Sequence, residues 1–215
     1  MSLGRLKRPE GSRVAAGALN DSAAIVRATA ARSVLALPAG EAAALLLPLL
    51  QDKEAFVRQE TAYALGETRS RLAVAALAEL LAKEKDDGVR GAAAVALGQI
   101  GDEAAVMPLA ELLGRRVPAG GIIARVRRSK RDENEFVRRA AAHSLGQIRS
   151  RAAVPALVAV LEDARAPDDV RREAAVSLGL IGDASAATAL RGVLDAGDPY
   201  LSRAAYEALD KLTRN

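Results

Sequence analysis

The sequence predicts an all-α protein, an α-solenoid assembled from short antiparallel helix pairs. Three observations predict it. A motif recurs at near-constant spacing along almost all of the 215 residues. Each copy carries two apolar stripes of helical period, and no strand-period alternation of any length competes with them. Aligned on the dipeptide Val-Arg, the copies begin at Val26, Val57, Val89, Val137 and Val170, with Leu201-Ser202 as a worn last copy; the spacings are 31, 32, 48, 33 and 31 residues. A period near 32 with one long interval is a repeat array that carries an insertion of about 16 residues.

The third copy displays both helices. Val89, Ala93, Ala96, Leu97 and Ile100 fall on one helical face, with the i, i+4, i+7, i+8 spacing of an amphipathic helix. Eight residues after each anchor stand Val34, Leu65, Leu97, Leu145, Leu178 and Leu209, and Gly66, Gly98, Gly146 and Gly179 follow four of them. Those glycines are expected to stop or loosen the helix near its end. Asp102 is the expected N-cap of the next segment, where Ala105, Val106, Leu109, Leu112 and Leu113 form the second apolar face.

Half of the chain is apolar but only 2% is aromatic, and tryptophan is absent, so the core must consist of Ala, Leu and Val at close range. There are no cysteines, which removes disulfides, thiolate metal sites and Cys nucleophiles together. The N-terminal stretch is basic and lacks an apolar core, and no run approaches the ~18 residues that span a bilayer. The expectation is a soluble, cytoplasmic protein.

Period alone does not separate the repeat families, but residues do. Neither the T-P-L-H signature of ankyrin repeats nor the Trp/Tyr pattern of tetratricopeptides occurs. The segments "DKEAFVRQETAYALGE", "DDGVRGAAAVALGQIGDEAAVMPLAELL" and "VRREAAVSLGLIGD" resemble HEAT repeats, specifically the short HEAT-like repeats grouped with phycobilisome lyase subunits. The resemblance covers roughly residues 20 to 212. It implies a right-handed α-α superhelix of about five helix pairs plus an unpaired N-terminal helix, in which the Val-Arg helix is second in each pair and lines the concave face. Concave helices are then expected at about 22–35, 54–66, 87–99, 134–147, 168–180 and 199–212, and outer helices at about 41–50, 72–82, 104–113, 152–162 and 185–195. Pro48 should kink its outer helix, while Pro108 and Pro155 sit early enough to cost little. Residues 1–19 form an N-terminal segment, and 20–215 form a single repeat domain with a basic loop at about 114–133.

The resemblance also implies a structural role for Arg27, Arg58, Arg90, Arg138 and Arg171: an Asp/Arg ladder tying neighbouring units, with Asp21, Asp52, Asp86, Asp132 and Asp168 just upstream of each. Function is therefore expected where the copies differ and face solvent. Two residues past the anchor the sequence reads Ala28, Gln59, Gly91, Arg139, Arg172, Arg203; six past it, Arg32, Tyr63, Val95, His143, Val176, Glu207. From these rows Gln59, Tyr63, Val95, Arg139, His143, Arg172, Val176 and Arg203 form a candidate groove with an apolar floor and a basic rim, suited to a peptide or helix.

The insertion supplies a second candidate. Between Gly114 and Arg131 stand Arg115, Arg116, Arg125, Arg127, Arg128, Lys130 and Arg131, with no acid among them. The chain carries +4 and this loop +7, which leaves −3 elsewhere. Concentrated positive charge attracts phosphate or an acidic protein surface. Single-strand nucleic-acid binding normally adds aromatic stacking platforms, and the loop has none.

Parts for catalysis are scarce. His143 is the only histidine and is followed by Ser144, so the repeated His-Glu dipeptides of HEAT-repeat hydroxylases are not matched. G-x-S-x-G, P-loop and G-x-G-x-x-G motifs are all missing. The expectation is a non-enzymatic protein-binding scaffold with no cofactor and no metal, whose partner is a protein or peptide with an acidic surface. The alternative is a nucleic-acid-binding solenoid using the loop with Arg139, Arg172 and Arg203. A bilin-lyase-like subunit is third, implied by the resemblance without any bilin-contacting residue to carry over.

Overall fold

The computed structural model describes residues 9–114 and 134–214. The basic cluster Arg115, Arg116, Arg125, Arg127, Arg128, Lys130 and Arg131 lies outside the described residues. Among those described, every regular element is a helix. The chain groups into two compact units, residues 1–105 and 106–215.

The first unit contains α1 (Pro9–Ala16), α2 (Ala24–Ser33), α3 (Ala39–Leu46), α4 (Ala55–Thr68), α5 (Val74–Lys83) and α6 (Asp87–Ile100). The second contains α7 (Val106–Gly114), α8 (Glu135–Ile148), α9 (Val154–Glu162), α10 (Asp168–Ile181), α11 (Ala187–Gly192) and α12 (Pro199–Arg214). The even-numbered helices carry the Val-Arg anchors and are called B helices below; the odd-numbered ones are A helices. Within each unit every B helix packs on its own A helix and on the next B helix. Helix α1 lies in the stretch that the sequence leaves as a plain N-terminal segment, and it packs on α2.

At some starts a short polar side chain satisfies a free N–H group. Asp86 accepts from the Val89 amide, Asn134 from Phe136, and Asp102 from Ala104 as expected. A single 3-10 turn, such as Arg71–Ala73 or Arg151–Ala153, leads into each of α5, α7, α9 and α11. At Pro48, where a kink was expected, α3 instead stops at Leu46 and Leu47–Gln51 continues as 3-10 helix, because proline lacks the amide that the α-helical ladder needs.

The core is aliphatic. Val57, Leu65, Val89 and Leu97 in the first unit, and Val137, Leu145, Val170 and Leu178 in the second, are fully buried, as are Leu46, Leu77, Leu109 and Leu157 on the A helices. Burying each such side chain stabilises the fold by about 1.5–3 kcal/mol.

One expectation is corrected. Gly66, Gly146 and Gly179 do not end their helices; these run on to Thr68, Ile148 and Ile181. Gly98 likewise lies inside α6. The terminating left-handed residues are Arg69, Gly101, Arg149 and Gly182. The glycines instead admit the next B helix. A Cβ at Gly66 would stand 2.8 Å from the Cα of Ala96, one at Gly146 2.9 Å from that of Ser177, and one at Gly179 2.8 Å from that of Ala208. Ser177 adds a buried hydrogen bond across this contact, its Oγ donating to the Ala142 carbonyl at 2.8 Å.

Candidate binding face

The anchor arginines Arg27, Arg58, Arg138 and Arg171 are engaged within the fold. In the first unit Arg27 donates from Nε and Nη2 to both oxygens of Asp52, at 2.6 and 2.9 Å, while Nη1 reaches the carbonyls of Asp21 and Ser22. The hydrogen bond from Arg27 holds the Asp52 carboxyl below its ordinary range. Arg58 repeats the arrangement with Glu84 at 2.6 Å, so the second rung uses a glutamate and leaves Asp86 to cap α6. Asp132 lies outside the described residues.

In the second unit the anchor arginines also reach backbone carbonyls. Arg138 donates to the carbonyl of Leu113 at 3.2 Å and Arg171 to that of Leu161 at 3.1 Å. Both therefore satisfy carbonyls at the C-terminal end of the A helix in their own pair, where a cation is favoured. Asp168 opens α10 and carries no rung. The tie from α10 to α12 passes instead to the neighbouring Arg172, whose Nε meets Asp198 at 2.7 Å and whose Nη1 meets Asp169 at 2.7 Å. The same guanidinium lies over the Tyr200 ring, 5.1 Å from its centroid.

The candidate residues then sort by unit. In the first, Gln59 and Tyr63 on α4 and Val95 on α6 are half-buried, and the Gln59 amide lies over Gly88 at the start of α6. In the second, Arg139, His143, Val176 and Arg203 are exposed and Arg172 is half-buried. The basic rim is largely neutralised there: Arg203 pairs with Glu207 at 2.8 Å, and His143 meets Glu173 on the next B helix at 2.8 Å. Arg139 alone of the three row arginines makes no ion pair among the described residues; it lines a shallow hollow with Phe136, Glu135 and Asp169.

Sequence reasoning passed over one row. The residue just before each anchor reads Ile25, Phe56, Gly88, Phe136, Asp169, Tyr200. It lies three positions from the first candidate row and so shares its stripe. Ile25, Phe56, Phe136 and Tyr200 are all exposed. The alignment that found the anchors also contains this column.

Aromatic placement follows from it. The chain has two phenylalanines and three tyrosines. All five, Phe56, Tyr63, Phe136, Tyr200 and Tyr206, stand on B helices, and none is buried. The exposed residues of α8, α10 and α12 include Phe136, Arg139, His143, Val176, Tyr200, Arg203 and Tyr206, alongside the acids Glu135, Asp168, Asp169 and Glu207.

The family comparison agrees with the helical-repeat fold. A family model described as HEAT repeats matches residues 43–120 and 123–210. No curated protein matches in sequence. Among solved structures, an engineered protein is 20% identical over 94% of this chain and 96% of its own, with a TM-score of 0.58. The complex of CpcE and CpcF of phycocyanin lyase from Nostoc is 23% identical, covering 98% and 86%, with a TM-score of 0.54. Human deoxyhypusine hydroxylase is 22% identical over 99% and 88%, with a TM-score of 0.47. No described helix is long and apolar enough to cross a membrane.

Proposed function

The chain belongs to the HEAT-repeat family, and from that premise we propose that it is a non-enzymatic protein-binding scaffold whose second unit holds its partner through α8, α10 and α12. One observation carries the reading: among the described residues the buried apolar core consists of Ala, Val and Leu, which leaves every Phe and Tyr of the chain on the B helices, none of them buried. Folding does not use these rings as core. Exposed aromatics and arginines are the side chains that dominate binding energy at protein interfaces, since they offer large rigid area with a polar handle. Phe136 with Arg139, and Tyr200 with Arg172 and Arg203, place that combination on successive B helices.

The partner's chemistry follows from the charges. Arg172 and Arg203 are held by Asp198, Asp169 and Glu207, so the face itself is apolar with balanced charge. An acidic partner surface is called for by the seven basic residues between 115 and 131. The complex of CpcE and CpcF is a complex between two proteins, in keeping with a scaffold role.

The test is crosslinking capture from nuclease-treated native lysate, followed by titration of the purified partner. Joint replacement of Phe136, Arg139 and Tyr200 by alanine is expected to weaken binding at least tenfold, with helix content unchanged. Affinity untouched by the triple substitution overturns the reading, and capture abolished by nuclease replaces it with nucleic-acid binding.

A further inference from the structure

Arg139 keeps its charge because its repeat lacks every acid that neutralises an arginine of the same column in the two repeats that follow. Arg172 on α10 is held from the next helix by Asp198, three residues before the anchor of α12. Three residues before the anchor of α10, where an acid would reach Arg139 in the same way, stands Pro167. The second partner of Arg172 is Asp169, three residues upstream of it; three residues upstream of Arg139 stands Phe136. Arg203 pairs with Glu207, four residues on, whereas four residues on from Arg139 stands His143, itself turned to Glu173. Among the described residues Arg139 therefore pairs with no acid, and it lines a hollow of about 420 Å³ with Asn134, Glu135, Phe136 and Asp169.

The geometry points to this hollow as the subsite for one carboxylate of a protein partner, an Asp or Glu side chain presented beside an apolar residue. The inference rests on the scaffold reading and names what that face selects. A guanidinium grips a carboxylate through two parallel N–H donors. Phe136, 45% exposed, gives the apolar neighbour a ring to lie on. The surrounding charges set how much charge the guest carries. Asp169 is committed to Arg172 at 2.7 Å. Glu135 stands one turn before Arg139 without pairing to it, and an ion pair of that spacing on an exposed helix face is weak enough to be displaced. One free cation flanked by two acids suits a single negative charge. It does not suit a chain of phosphates, because Arg172 and Arg203 are already neutralised by Asp198 and Glu207.

A random peptide library displayed on phage supplies the probe. It is panned on the full chain at high salt, which screens the diffuse pull of the basic residues between 115 and 131. Retained peptides are expected to carry Asp or Glu beside an aromatic or branched aliphatic residue. Changing that acid to its amide in the best synthetic peptide is expected to weaken binding about fivefold to the wild type and to Arg203→Gln. The same change is expected to make almost no difference on Arg139→Gln, whose circular dichroism stays that of the wild type. Arg139→Lys, which keeps the charge without the fork, is expected to fall between, and Glu135→Gln to bind the acidic peptide more tightly. An acid preference that survives Arg139→Gln in full overturns the inference. Retained peptides without an acid overturn it too; if these are lost with joint Phe136→Ala and Tyr200→Ala, the scaffold reading stands without it. Peptides indifferent to every substitution on the face, or no retained peptide at all, overturn both.

Discussion

Arg139, Arg172 and Arg203 occupy one column of the repeat and read identically in sequence, yet the structure gives them different duties. Arg172 is pinned between Asp198, Asp169 and the Tyr200 ring; Arg203 shares its charge with a glutamate one turn on; Arg139 is left to solvent. The difference is not wholly local, since the acid that claims Arg172 stands 26 residues away. The claim has a pH signature. The hydrogen bond from Arg172 lowers the Asp198 carboxyl below its ordinary 3.8, so the folded state favours the ionised form. Stability from this pair is therefore fully present above about 3.8 and is lost as pH falls through the lowered folded value. Asp198→Asn is expected to melt below the wild type at pH 7, and the gap is expected to narrow below pH 4. Melting curves at pH 7, 5 and 3 check this; an equal gap at pH 3 would mean that shape, not charge, ties α10 to α12.

At the scale of the element, the helices themselves were legible because each repeats an apolar stripe of fixed period, and their predicted limits agree with the observed ones to within a few residues. The role of Gly66, Gly146 and Gly179 was not. A glycine ahead of a polar loop looks like a helix terminator, and what distinguishes it is a contact with a backbone about thirty residues later. The two roles predict opposite effects. Ala for Gly inside a helix normally stabilises by about 1 kcal/mol, but a Cβ at Gly146 would stand 2.9 Å from the Ser177 Cα. Overpacking against backbone costs about 1–3 kcal/mol, so Gly146→Ala is expected to lower stability in urea unfolding. Gly192, where an added Cβ meets nothing within 4 Å, is the control: Gly192→Ala is expected to be neutral or stabilising. Equal responses at the two sites would remove close helix approach as the reason for the buried glycine.

For the whole molecule, the array was readable because repetition is a long-range signal carried by local composition, whereas the exposed face proposed for binding was only partly readable. The variable rows named Arg139, His143, Val176 and Arg203, which are exposed, but the aromatic row stands three positions before the first of those rows. On the proposed function, charge and contact area divide the work of recognition between two places. The segment 114–131 carries +7 against −3 for the rest of the chain, and concentrated charge acts at a distance: it steers encounter, raises the association rate and is screened by salt. Phe136, Tyr200 and Tyr206 would act only on contact and so govern how long a complex lasts. Replacing Arg115, Arg116, Arg125, Arg127, Arg128, Lys130 and Arg131 by glutamine takes the chain from +4 to −3. The anchors and core positions lie elsewhere, so the variant is expected to keep its helix content and melting temperature. Its association with an acidic partner is expected to slow several-fold at low salt, with dissociation little changed and the difference gone at high salt. Alanine at Phe136 and Tyr200 is expected to do the reverse, accelerating dissociation at every salt concentration. Surface-plasmon kinetics at two ionic strengths separates the two behaviours, and a glutamine variant whose loss lies in dissociation and persists at high salt would place the basic residues inside the contact, not around it.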